Sequence, residues 1–160
     1  MSRQCCPRVL ANLLAAALFL GAVSPGWAVK LVRGQTIYIP SYTNIISGTQ
    51  RIVLRANLLI HNTDPERPLE VLRVDHYDTN GQLVENYLTQ PLKLPPLGAA
   101  RIIVKAPKPG DEGAGANFIV QWRSAEKITE PLVECIMLGA AGTHSYSFSS
   151  LGRIIQEQSD

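Results

Sequence analysis

The stretch RVDHYDTNGQLV, residues 73–84, sets Asp75, His76, Asp78 and Asn80 within six positions. Two carboxylates, an imidazole and an amide so close together could hold a metal ion. A helix–loop–helix calcium loop takes oxygen ligands at positions 1, 3 and 5, glycine at 6 and glutamate at 12. With Gly81 at position 6, Asp78 and Asn80 fall at 3 and 5, but His76 stands at 1 and Tyr87 at 12. Both ends of the pattern fail. Side chains alternate along a strand, so Asp75 and Tyr77 face one way and His76 and Asp78 the other. Asn80 and Gly81 supply positive φ at little cost, the strongest short hairpin signal. Asp78 is expected to accept backbone N–H bonds inside that turn. The stretch therefore reads as a hairpin. The metal alternative needs His76 or Asp78 to meet a distant residue such as His61.

Cys135, Met137 and His144 raise a copper site, which uses two histidines, a cysteine and often a weak methionine. The order is wrong for that, because Met137 precedes His144, and Cys135 and Met137 share a strand face. Val133, Cys135 and Met137 read instead as core, where a free cysteine behaves as a small hydrophobe. Glu134 sits in an apolar run and is expected near an edge or beside an arginine. Gly110, Gly113 and Gly115 lack the spacing of a phosphate-binding loop. They read as a flexible connection that Asn117 could order by hydrogen bonding. Ser145 beside His144 is no catalytic pair, since adjacent strand residues point apart, and no Gly-x-Ser-x-Gly elbow occurs. Phe118, Val120 and Trp122 share a face and read as core. Tyr38, Tyr42, Tyr77 and Tyr87 fall on different strands, and the sequence does not gather them.

The elements that carry these residues are strands. In RIVLRANLLIHN, Ile52, Leu54, Ala56, Leu58 and Ile60 fall on one face, and the other face is mixed. LEVLRVDHYD, QLVENYL, NFIVQWR, PLVECIMLG and THSYSFSS follow, with QTIYIP before them and a strand near residues 100–105. Pro65 and Pro68 break the chain in NTDPERP, because proline donates no ladder hydrogen bond. Seven or eight short strands at regular spacing predict an all-β, Ig-like or fibronectin-like sandwich. A small closed barrel is the alternative. The tail QEQSD reads as frayed.

Ahead of this domain, Arg3 and Arg8 precede an apolar run at 9–23, followed by Pro25, Gly26 and Ala28. That is the plan of a secretory signal peptide, with cleavage expected after Ala28. An uncleaved anchor is the alternative, although the run falls short of the roughly 20 residues that span a bilayer. The expected organisation is a signal at 1–28 and one β-sandwich domain at 29–160, its core at about 33–155. The chain has 15 basic and 13 acidic side chains. Arg3 and Arg8 are the only charges before residue 29, so 13 of each sign remain. No basic stripe is left to attract nucleic acid or an anionic membrane. Cys135 is the one cysteine after residue 28, so no internal disulfide is expected.

GQTIYIPSYTNI, HNTDPERPLEVLRVDHYDTNGQLVENYL, PLKLPPLGAARIIV and GAGANFIVQWR occur in this order. Together they resemble a family of small exported prokaryotic proteins, the domain of unknown function numbered 3124. The resemblance spans about residues 33–155 and implies no catalytic or binding residues. The expectation is a periplasmic or secreted, non-catalytic module that binds an envelope protein, peptide or glycan. No cofactor, nucleic acid or stable membrane insertion is expected. Its surface is read from polarity and placement as Asn62, Asp64, His76, Asp78 and Asn117. The alternative is a metal-binding or redox protein using His61, His76, His144 or Cys135.

Overall fold

The computed structural model describes residues 29–104 and 115–158. Residues 1–28, on which the signal-peptide expectation falls, the stretch at 105–114 that carries Gly110 and Gly113, and residues 159–160 lie outside the described residues. Eleven strands form: β1 (Leu31–Tyr42), β2 (Asn44–Ser47), β3 (Gln50–His61), β4 (Leu69–Tyr77), β5 (Leu83–Asn86), β6 (Leu92–Leu94), β7 (Ala99–Ile103), β8 (Gly115–Thr129), β9 (Leu132–Ala141), β10 (His144–Leu151) and β11 (Arg153–Glu157). All pairings are antiparallel. One sheet runs β11-β1-β8-β4-β5, with β6 also beside β4. The other runs β10-β9-β3-β2, with β7 also beside β3. The two sheets enclose one apolar core, so the fold is the expected all-β sandwich.

The alternation that drives this is strict where it was easiest to read. Ile52, Leu54, Ala56, Leu58 and Ile60 are all buried, and so are Phe118, Val120 and Trp122. Burying a ring as large as that of Trp122 is worth about 5 kcal/mol by area, an upper figure because unfolded chains already bury some surface. Val133, Cys135 and Met137 face the same core. Glu134, opposite Leu59 and Leu151, takes the outer face of the second sheet. It lies between two strands rather than at an edge.

Three strands exceed the expected number, and each is short. β2 and β6 are too brief to show a period. β11 is exposed at all five positions, so it has no alternation to read. For residues 156–158, β11 and the bond that follows it correct the expectation of a frayed tail. Gln156 pairs with Thr36, Glu157 pairs with Gln35, and the Gln158 N–H donates to the Gly34 carbonyl at 3.0 Å. Lys30 closes an exposed ion pair with Glu157.

β8 lies at the centre of the first sheet and sets its faces. Opposite it, the β4 register slips between Val71 and Arg73. Leu72 is the extra residue of this bulge, so Val71 and Val74 both face inward. Arg73, Asp75 and Tyr77 then face outward, opposite Gln121, Ile119 and Asn117.

Gly152 carries the chain from β10 in one sheet to β11 in the other. Its N–H donates to the Val133 carbonyl at 2.8 Å. A Cβ there would lie 2.6 Å from Ile37 Cγ2. Gly152→Ala is therefore expected to lose about 1–2 kcal/mol to overpacking. Denaturant unfolding reads this as a lower midpoint with an unchanged slope.

Candidate functional site

Directly opposed residues on paired strands share a face. On the outer face of the first sheet this rule assembles a row across five strands: Arg153, Tyr38, Ile119, Asp75 and Asn86. One flanking row holds Pro40, Asn117, Tyr77 and Leu83. The other holds Gln156, Thr36, Gln121 and Arg73. Tyrosine, amide and arginine groups dominate this face. With strands about 4.8 Å apart, Tyr38 and Tyr77 stand on strands roughly 10 Å apart.

Asp75 is the anchor of the face. It lies on the outward side of a sheet, yet is 0% exposed. Three neighbours cover it. Asn86 Nδ2 donates to Oδ1 at 2.8 Å, and the Tyr77 hydroxyl donates to Oδ2 at 3.3 Å. Arg73 Nε makes an ion pair with Oδ2 while its side chain stays half exposed. Asn86 Oδ1 in turn accepts the Leu88 N–H at 2.8 Å. The Asp75 carboxylate fixes Arg73, Tyr77 and Asn86 in place, and this part of the face is thereby pre-organised.

Farther along β4 and β8, the same face ends in an open cleft of about 460 Å³ lined by Pro68, Leu69, Glu70, Lys93, Arg123, Ser124 and Ala125. Arg123 pairs with Glu70 at 2.8 Å, and Lys93 stands opposite Glu70 in the register. From Asn117 to Arg123 the face extends about 20 Å at strand rise.

The five surface residues read from the sequence are not brought together. Asn62 and Asp64 are buried at the cleft end, each 2% exposed. Asn62 Nδ2 donates to the Arg67 carbonyl at 2.8 Å and the Pro95 carbonyl at 2.9 Å, and its Oδ1 accepts the Asp64 N–H. Asp64 Oδ1 accepts the Glu66 and Arg67 N–H groups at 2.9 and 2.8 Å, and Oδ2 accepts that of Thr129 at 3.1 Å. These two side chains shape the loop that leads to Pro68 at the cleft. The other three lie toward the opposite end of β4. The His76 ring turns inward and stacks on Phe118, centroids 4.7 Å apart. Asp78 Oδ1 accepts the Asn80 and Gln82 N–H groups at 2.9 and 2.8 Å. Gly81 has φ 75°, so the hairpin forms as its residues demand. Asn117 lies on the outer face itself, beside Tyr77 and Pro40.

In the sequence Asp75 stood out only as one member of a possible metal-binding cluster, and Tyr38, Arg73, Tyr77, Asn86 and Gln121 fell outside the five surface residues. One signal was there to find. Arg73, Asp75 and Tyr77 recur at every second position of a strand, so cation, anion and phenol share one face.

The residues of the metal alternative are also apart. His61 ends β3, His144 begins β10, His76 stacks on Phe118 and Cys135 lies in the core. Among the described residues, no three His, Cys, Asp or Glu side chains are grouped to hold a metal ion. Burial pushes the Cys135 thiol up to about 11, with Ser41 and the Asn57 backbone opposing that rise. The thiolate is the nucleophile. A thiol reagent at pH 8 should therefore leave Cys135 unmodified in the folded protein and titrate it fully in denaturant, as read by absorbance.

No helix among the described residues is long and apolar enough to cross a membrane. No curated protein matches the chain. Among solved structures, the crystal structure of Thermotoga maritima 1070 is similar over 79% of this chain and 97% of its own, with 13% identity and a TM-score of 0.47. The family described as Protein of unknown function (DUF3124) matches residues 34–155, most of the chain, and the protein belongs to that family.

Proposed function

We propose that the protein is an exported, non-catalytic binding module of the cell envelope that holds a glycan along the outer face of its first sheet. The observation that carries this reading is the face itself. Tyr38, Tyr77, Asn117 and Gln121 are set around a buried carboxylate that already has its donors. Sugar rings offer flat C–H faces to phenol rings, and hydroxyl and acetamido groups to side-chain amides. Both sets of partners are present, and the Asp75 network holds part of them in place before any ligand arrives. Pre-organisation of this kind lowers the entropic cost of binding. Export rests on the leader-like composition of residues 1–28. The balanced charge of the remaining chain disfavours nucleic acid. A peptide or an envelope protein is the other class of partner for such a face.

Calorimetric titration of residues 29–160 with soluble N-acetylglucosamine oligomers tests the reading. Tyr38→Ala and Tyr77→Ala are each expected to weaken binding roughly tenfold, about 1.4 kcal/mol. Binding that is unaffected by both substitutions, or no binding at any accessible concentration, would remove the glycan reading.

A further inference from the structure

A strand at the edge of a sheet exposes unpaired N–H and C=O groups, and β proteins protect such edges with short strands, charges, prolines or bulges. Most edges of this sandwich follow that practice. β2 has four residues, β5 has four and β6 has three. β7 has five and carries Arg101. β11 has five, carries Arg153 and Glu157, and is paired across a register shift.

β10 departs from it. HSYSFSSL has eight residues, no proline and no Asp, Glu, Lys or Arg. Its register against β9 runs from His144 to Leu151 without a shift. β10 is terminal in its sheet, and among the described residues no strand lies on its other side. Beside this open edge lies apolar surface. Phe148 is 37% exposed, and the Tyr42 ring lies 5.8 Å from it. Leu151, Ile154 and Ile155 are also exposed, and they follow on the same side of the sandwich because Gly152 joins β10 to β11.

We propose that this edge pairs with the same edge of a second copy of the chain, β10 against β10, antiparallel about a two-fold axis. The sequence of β10 is self-complementary in that arrangement. With Ser147 at the axis, Ser145 of one copy faces Ser149 of the other, and Tyr146 faces Phe148. Hydroxyl meets hydroxyl on one face, and ring meets ring on the other. Both are favourable cross-strand pairs. No like charges meet, because the strand carries no Asp, Glu, Lys or Arg. The two second sheets join into one continuous sheet, and the apolar rim of each copy is drawn toward the other. The outer face of the first sheet stays open, so the glycan reading is independent of this one.

The chain from Val29 onward contains all eleven strands and serves for the test. Sedimentation at about 100 μM, well above a micromolar dissociation constant, is expected to show a dimer. Ser147→Lys is expected to give a monomer with an unchanged circular dichroism spectrum. Directly opposed antiparallel residues have Cα atoms about 4.5–5.5 Å apart, within disulfide range. Ser147→Cys should therefore cross-link two copies on mild oxidation, while the buried Cys135 stays reduced. A monomer at this concentration together with no cross-link would overturn the proposal. So would a monomer whose edge binds the synthetic peptide HSYSFSSL, because the edge would then take a foreign strand rather than its own copy.

Discussion

Replacing Asp64 by alanine is expected to destabilise the protein by about 3 kcal/mol and to lower Tm by about 10 °C. Three backbone donors lose their acceptor at once: the N–H groups of Glu66, Arg67 and Thr129. Each of these part-buried donors left without its acceptor costs about 1 kcal/mol. The first two close the loop after β3, and the third ties that loop to the end of β8. The same bonds, that from the Glu66 N–H foremost, hold the Asp64 carboxyl below the usual carboxylate range. The unfolded chain has an ordinary aspartate near 3.9. A depressed folded pKa means that this stability is complete above pH ~4 and is lost as pH falls through the folded value. Thermal melts between pH 7 and acid should show a descending limb below pH ~4 for the native chain. Asp64→Asn should flatten that limb, because an amide cannot titrate, and should lower Tm at neutral pH. An Asp64→Ala variant as stable as the native chain would contradict the assignment.

The second large effect belongs to Asp75. Asp75→Ala is expected to cost about 2–3 kcal/mol, because Asn86 Nδ2 and the Tyr77 hydroxyl lose a buried acceptor. The ion pair adds little of this. Arg73 is half exposed, so water takes back its charge once Asp75 is gone. The distinction is measurable. Between about 0.1 M and about 1 M salt the screening length falls from about 10 Å to about 3 Å. A loss due to hydrogen bonding stays constant over that range, whereas a loss due to charge shrinks. Urea denaturation of the variant at both salt concentrations should give the same difference from the native chain. Asp75→Ala should also weaken glycan binding more than its effect on stability explains, because Arg73 and Tyr77 lose their shared anchor.

The frame of this protein was legible wherever one face of a strand is buried. The five apolar positions of β3 and the Phe118, Val120 and Trp122 series of β8 needed only a period of two. The hairpin at Asp78 was legible from turn chemistry, since Asn80 and Gly81 tolerate conformations that other residues resist. What escaped was set by pairing between distant segments. Tyr38 and Tyr77 lie 39 positions apart in sequence and share a face only because β8 runs between β1 and β4. Asp75 read as one polar strand position beside a hairpin, and its burial depends on Asn86 from the next strand. Asn62 and Asp64 looked like loop surface. They are buried because their acceptors and donors hold the loop together, a role that composition does not separate from binding. β11 shows no alternation because neither of its faces is buried.

The decisive measurement is an amide chemical-shift map of residues 29–160 during titration with N-acetylglucosamine oligomers. A glycan held on the first sheet predicts perturbations that cluster at Tyr38, Arg73, Tyr77, Asn117, Ile119 and Gln121 and extend toward Arg123 and Lys93. Perturbations confined to β9 and β10, or none at saturating ligand, would contradict a binding role for that face.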